Sequence, residues 1–131
     1  MISFLPITLL TTSLLGLWLL YLSNQCVRLR LSEKVDIGTG NSKALERAVR
    51  AQANFTEYVP IALLLIAMLE LNQAPTLLLY CLAGALVLGR VLHATGFVRA
   101  KGPNLGRFIG TLSTWLVILI ASIYGLYLSF T

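Results

Sequence analysis

"ERAVRAQANFTEYVPIALLLIAMLELN", residues 46–72, holds two kinds of chemistry in one segment. Its second half is apolar enough for lipid. Its first half carries Arg47, Arg50, Gln52, Asn54 and Glu57. Whether this is a soluble amphipathic helix or a membrane span is decided by the rest of the chain. Of 131 residues, 57% are hydrophobic and 11% charged, whereas soluble domains carry about 25% charged residues. A soluble domain of this size has no interior large enough for so much apolar surface. The composition therefore selects an integral membrane protein.

Apolar runs place the spans. Residues 2–23, 71–89 and 108–131 contain no charged side chain, and each is near the roughly 20 residues that cross a bilayer core. Tyr58 to Leu69 adds a shorter apolar stretch. The predicted fold is all-α, a four-helix membrane bundle in one domain over 1–131, with helices at about 2–27, 43–72, 75–98 and 105–130. Continuous Leu-rich runs argue against a β-barrel, which needs alternation. The first segment reads as a retained span: no basic residue precedes it, and its apolar run exceeds a signal peptide's usual roughly 7–15 residues.

The connections read as turns. "LRLSEKVDIGTGNSKALE", residues 29–46, is the long one, with Gly38 and Gly40 as breakers and Asn41 or Ser42 as a cap for the second helix. Pro75 suits the first turn of the third helix. Pro60, inside the second, removes a backbone bond and predicts a bend near Thr56. Arg28, Arg30, Lys34, Lys43, Arg47 and Arg50 lie in or beside the first connection. Arg90, Arg99, Lys101 and Arg107 lie near the third. The second connection, "ELNQAP", and both termini have no basic residue. The positive-inside rule puts the first and third connections in the cytoplasm, with both termini outside. The net charge of +5 follows from this topology and gives no reason to expect a nucleic-acid partner. Cys26 and Cys81 fall at different depths, which predicts neither a disulfide nor a metal site. Trp18 and Trp115 read as mid-span packing residues, and Glu70 and Lys34 as interfacial charges.

The polar half of the second helix forms a stripe. Arg50, Asn54, Glu57 and Tyr58 are spaced i, i+4, i+7 and i+8, so they share one face, with Arg47 extending it. Glu57 lies about 20 Å along the helix from Lys43 at 1.5 Å per residue, near mid-membrane. Arg90 and His93 share a face of the third helix, and Arg107 opens the fourth. A charge near the bilayer centre costs about 2.5–3.5 kcal/mol on insertion scales, so these groups must face one another or a wet cavity. One reading is an internal network in which Glu57 pairs with Arg50 and Arg90. The other is a cavity for an anion: three deep arginines oppose one deep carboxylate, and Arg grips carboxylates through paired hydrogen bonds.

"ERAVRAQANFTEYVPIALL" resembles the second-helix signature of the MAPEG family, membrane-associated proteins in eicosanoid and glutathione metabolism. "VRLR" at 27–30 is similar to the end of the family's first helix, and "GRVLHATGF" at 89–97 to its third-helix motif. Arg107 stands where the family places the arginine that polarises a thiol. The resemblance spans essentially the whole chain. It implies a homotrimer with sites between subunits, and glutathione as co-substrate. Arg50, Asn54, Glu57, Tyr58, Arg90 and His93 would bind it, joined by Arg28 and Gln52 of a neighbouring copy. Arg107 would be the catalytic residue that stabilises the thiolate. Phe97 and Phe108 differ from residues of eicosanoid-forming members, whereas His93 differs from one such member and matches another. The short loops look more like the bacterial-type microsomal glutathione transferases.

The function expected from this is a membrane-bound glutathione transferase or glutathione-dependent peroxidase acting on hydrophobic electrophiles or lipid hydroperoxides that enter from the bilayer. The expected location is the bacterial inner membrane, with the site facing the cytoplasm. Two other classes remain. A non-catalytic binding protein on the same scaffold has no need of a cation at the sulfur. A small multidrug transporter wants a carboxylate in its first helix, and the span here is uncharged. For the topology, a reporter fused after Thr131 is expected outside the cytoplasm and one inserted at 32–42 inside it. Cytoplasmic signal from the C-terminal fusion would refute the orientation.

Overall fold

The computed structural model describes residues 4–99 and 104–130. It is all-helical over those residues, with four helices: α1 (Pro6–Glu33), α2 (Lys43–Leu71), α3 (Thr76–Arg99) and α4 (Leu105–Ser129). Each is long and apolar enough to cross a membrane. Residues 100–103, including Lys101, and the side chains of Phe97 and Arg99 lie outside the described set.

Helix ends follow local chemistry. α1 begins at Pro6, whose missing N–H costs nothing in a first turn. It continues through Arg28 and Arg30 to Glu33, six residues beyond the predicted end at 27. The charges that mark the edge of the apolar run do not end the helix, because basic side chains there reach the headgroup layer with the backbone still helical. Lys34 ends it in the left-handed region, φ 54°, with its N–H returning to the Arg30 carbonyl. The Arg30 guanidinium then donates to the carbonyls of Asp36 at 3.2 Å and Gly38 at 2.8 Å, tying the first connection to α1. Ser42 caps α2 by accepting from the Leu45 N–H, and α2 runs unbroken through Pro60.

α2 and α3 form the inner pair. α2 touches the other three helices and α3 does the same, whereas α1 and α4 do not meet among the described residues. The core face of α2 is Ala48, Ala51, Phe55, Val59, Ala62, Ile66 and Leu69, spaced i, i+3, i+4 as a buried helical stripe requires. Leu15 and Leu22 meet it from α1, Leu82 and Leu86 from α3, and Val117 and Ala121 from α4. Leu17, Leu64, Leu88, Leu119 and Ile123 are exposed, as they should be where the solvent is hydrocarbon. Trp18 is half-buried and stacks on Tyr21 with centroids 4.9 Å apart. Trp115 is 53% exposed, so its expected packing role is not met within the protomer: its place on α4 faces away from the bundle.

α3 and α4 approach through small residues. A Cβ on Gly110 would collide with the Gly89 carbonyl and lie 2.7 Å from the backbone nitrogen of His93. A Cβ on Gly96 would sit 2.9 Å from the Arg107 nitrogen. In α4, Gly106 and Gly110 form a G-x-x-x-G pair, the spacing that lets membrane helices bring their backbones together. Ser113 adds a hydrogen bond to the Ala85 carbonyl, 2.9 Å.

Glu70 corrects its reading as an interfacial charge only. Its carboxylate accepts from the Ile7 N–H at 2.9 Å and the Thr8 N–H at 2.7 Å. Leu5 provides no side-chain cap for α1, so α2 supplies an anionic one where the helix dipole is positive. Glu70→Ala is expected to destabilise the bundle by about 1–2 kcal/mol, and Glu70→Gln by less. Thermal melting in detergent reads both, and an unshifted Glu70→Ala would rule the cap out as a stabilising contact.

Candidate functional site

The polar stripe of α2 lies off the core face, and the protomer divides it. Arg50 and Glu57 are exposed, while Asn54 and Tyr58 are half-buried. Behind them Arg90 of α3 is 2% exposed and His93 is 4% exposed. The Arg90 guanidinium spans two helices. Nη1 donates to Asn54 Oδ1 of α2 at 2.7 Å, and Nη2 donates to the Gly110 carbonyl of α4 at 2.8 Å. The same carbonyl accepts from the Thr114 hydroxyl at 3.0 Å. Nε of Arg90 is buried without a partner.

This geometry overturns the internal network as drawn from sequence. Arg90 turns to the Asn54 amide and a backbone carbonyl, not to Glu57. The physical reason is the glycine contact: with Gly110 pressed on Gly89 and His93, the α4 backbone comes within reach of a side chain one residue after Gly89. Glu57, three residues past Asn54, lies about 60° from it around the helix and nearly one turn further along. Its carboxylate stays on the open surface.

The remaining candidates fall in different places. Arg107 is half-buried in the first turn of α4, with its backbone and Cγ against Gly96. Asn104 caps that turn by accepting from the Gly106 N–H at 2.7 Å. Gln52 lies about 200° around α2 from Asn54, and its amide donates to the Ser23 hydroxyl of α1 at 2.8 Å. Arg28 is exposed near the C-terminal end of α1. Within one protomer, then, Arg50, Asn54, Glu57 and Tyr58 share a face, with Arg90 and His93 behind it. Gln52 belongs to another face of α2, and Arg28 to α1. Gly110 and Thr114 were missed from sequence, although the G-x-x-x-G spacing of Gly106 and Gly110 pointed to that contact.

The sequence pattern of the MAPEG family matches residues 8–127, a segment that takes in all of these positions. The chain belongs to the MAPEG family. It is similar to the inner membrane protein YecN of Escherichia coli K12, with 32% identity over 112 residues, covering 86% of this chain and 84% of that protein. The protein of the same name from E. coli O6:H1 matches equally. Family membership and the four apolar helices make this an integral, multi-pass membrane protein.

The close approach at Gly110 carries a test. Gly110→Ala places a methyl group against the Gly89 carbonyl and His93, and overpacking of this kind costs about 1–3 kcal/mol. It should lower the melting temperature clearly. Gly84→Ala, whose Cβ would meet nothing within 4 Å, should be nearly silent. Equal melting of the two variants would show that the α3–α4 contact is looser than described.

Proposed function

We propose that this MAPEG protein is a glutathione transferase of the bacterial inner membrane, which activates the glutathione thiol for attack on hydrophobic electrophiles. The observation that carries the reading is the open polar face at membrane depth: exposed Arg50 and Glu57 flank half-buried Asn54 on α2. A guanidinium and a carboxylate left exposed there are costly unless a ligand or partner of matching charge covers them. Glutathione offers two carboxylates to Arg50 and its neighbours, and one ammonium to Glu57.

The chemistry follows from Arg107. The thiolate is the reactive form, and a free cysteine thiol has a pKa near 8.5. A guanidinium in the first turn of α4, added to the positive end of that helix, favours loss of the proton. The sulfur lone pair then attacks the electrophilic carbon and the leaving group departs with its bonding electrons. With a lipid hydroperoxide the thiolate attacks oxygen instead, and two glutathiones become the disulfide as one alcohol and one water form. Substrates of both kinds concentrate in the bilayer. A homotrimer is the assembly that suits the reading. Gln52 lies off the Asn54 face, so it would reach a bound glutathione only from a neighbouring copy, and the family resemblance gives Arg28 the same role.

Two variants test this. Arg107→Ala should lose about 10²–10³ in turnover, the usual cost of removing one preorganised donor from an anion, while glutathione still binds through Arg50 and Asn54. Arg50→Ala should weaken binding first. Affinity, ultraviolet thiolate absorbance and turnover with chlorodinitrobenzene separate the two effects. Full turnover in Arg107→Ala would leave a binding protein on the same scaffold. Proton-driven efflux from vesicles would point to a transporter.

A further inference from the structure

We propose that Arg90 does not bind glutathione but is a positioning residue: it holds Oδ1 of Asn54 so that the Asn54 amide N–H groups are presented to the ligand. The inference rests on the glutathione reading of the open face and assigns the division of labour within it.

Three observations converge. First, Arg90 is 2% exposed, so its guanidinium has almost no surface to offer a guest. Second, both terminal nitrogens are committed, at 2.7 Å to Asn54 Oδ1 and at 2.8 Å to the Gly110 carbonyl. These acceptors sit on two different helices, a demand that the planar guanidinium fork meets better than an ammonium does. Third, a primary amide has one acceptor arm and one donor arm. With Oδ1 taken from behind, the Nδ2 donors are the arm left for the half-buried face that Asn54 shares with Arg50, Glu57 and Tyr58. A donor pair there suits a carboxylate or carbonyl oxygen of the tripeptide. The Gly110 carbonyl fixes the other end of Arg90, and glycine packing against Gly89 and His93 fixes Gly110 in turn. The α3–α4 contact thereby sets the orientation of a side chain on α2.

The experiment is a double-mutant cycle on the full chain in detergent, with glutathione affinity by calorimetry, steady-state kinetics with chlorodinitrobenzene, and thermal melting. Arg90→Gln and Asn54→Ala should each weaken glutathione about 10- to 100-fold, the scale of one hydrogen bond to a charged partner. The double variant should be no more than about twofold weaker than the worse single, because interacting residues are not additive. KM for glutathione should rise while turnover at saturation holds, since Arg107 is untouched. Asn54→Asp keeps an acceptor for Arg90 but loses the donor arm. It should melt no lower than wild type and still bind at least tenfold more weakly. If Arg90→Gln cannot be purified, Arg90→Lys runs the same cycle.

Multiplicative losses in the double variant would mean that Arg90 meets glutathione directly, and would overturn the proposal alone. So would an Arg90 variant that melts lower but binds normally, or an Asn54→Asp that binds like wild type. Absence of glutathione binding by wild type would overturn this proposal together with the function above.

Discussion

A guanidinium sealed between three helices sets the terms for the rest of this bundle. Arg90 cannot reach water, and its hydrogen bonds go to two neutral acceptors, the Asn54 amide and the Gly110 carbonyl. Leaving such a group without partners in a low-dielectric interior would cost far more than these bonds return. The two acceptors must therefore stay where they are. That requirement reaches outward. Gly110 can offer its carbonyl only because α4 lies against α3 with no Cβ between them, and Asn54 can offer its oxygen only in one orientation of its amide.

The polar groups around Arg90 thus form two layers with different tasks. The sealed layer, Arg90 with Gly110 and Thr114, is satisfied inside the protomer apart from Nε. The open layer, Arg50 and Glu57, is not. Only an incompletely satisfied layer can contribute binding energy to a guest, and only a rigid layer behind it can keep that guest in register. The open layer sits on the outer surface of an apolar bundle. A reagent dissolved in lipid and a charged tripeptide held by the open layer would meet there without either crossing into the other's solvent.

The spans were legible in the sequence, because uncharged runs of bilayer length have few alternative fates. The ends were less so. α1 outlasted its predicted end by about a turn and a half, since basic side chains at a membrane edge extend a helix instead of stopping it. The polar stripe of α2 was legible from spacing alone. The partner of Arg90 was not: charge-matching offered Glu57 or an anionic guest, whereas the outcome depended on how near the α4 backbone comes, which no pairing of side chains in one dimension reveals. The G-x-x-x-G spacing of Gly106 and Gly110 carried that information. Glu70 shows the same limit. Its residue type and depth suggested an interfacial charge, and only the neighbouring end of α1 gives it a structural task. The third connection lies outside the described residues.

The cap made by Glu70 also bears on how the chain is built. α1 leaves the ribosome before α2, and its first-turn amides have no side-chain cap of their own. Their carboxylate partner sits at the last turn of α2, while at the opposite end Arg30 holds the connection into α2 by the Asp36 and Gly38 carbonyls. Between them, Gln52 bonds Ser23. The two helices are thus joined at one end by Glu70 and farther along by Gln52, while at the other end Arg30 ties down the loop between them. Such a pair forms one helical hairpin, whose first helix is capped only once the end of its second is in place, beside α3 and α4, whose backbones meet through glycine.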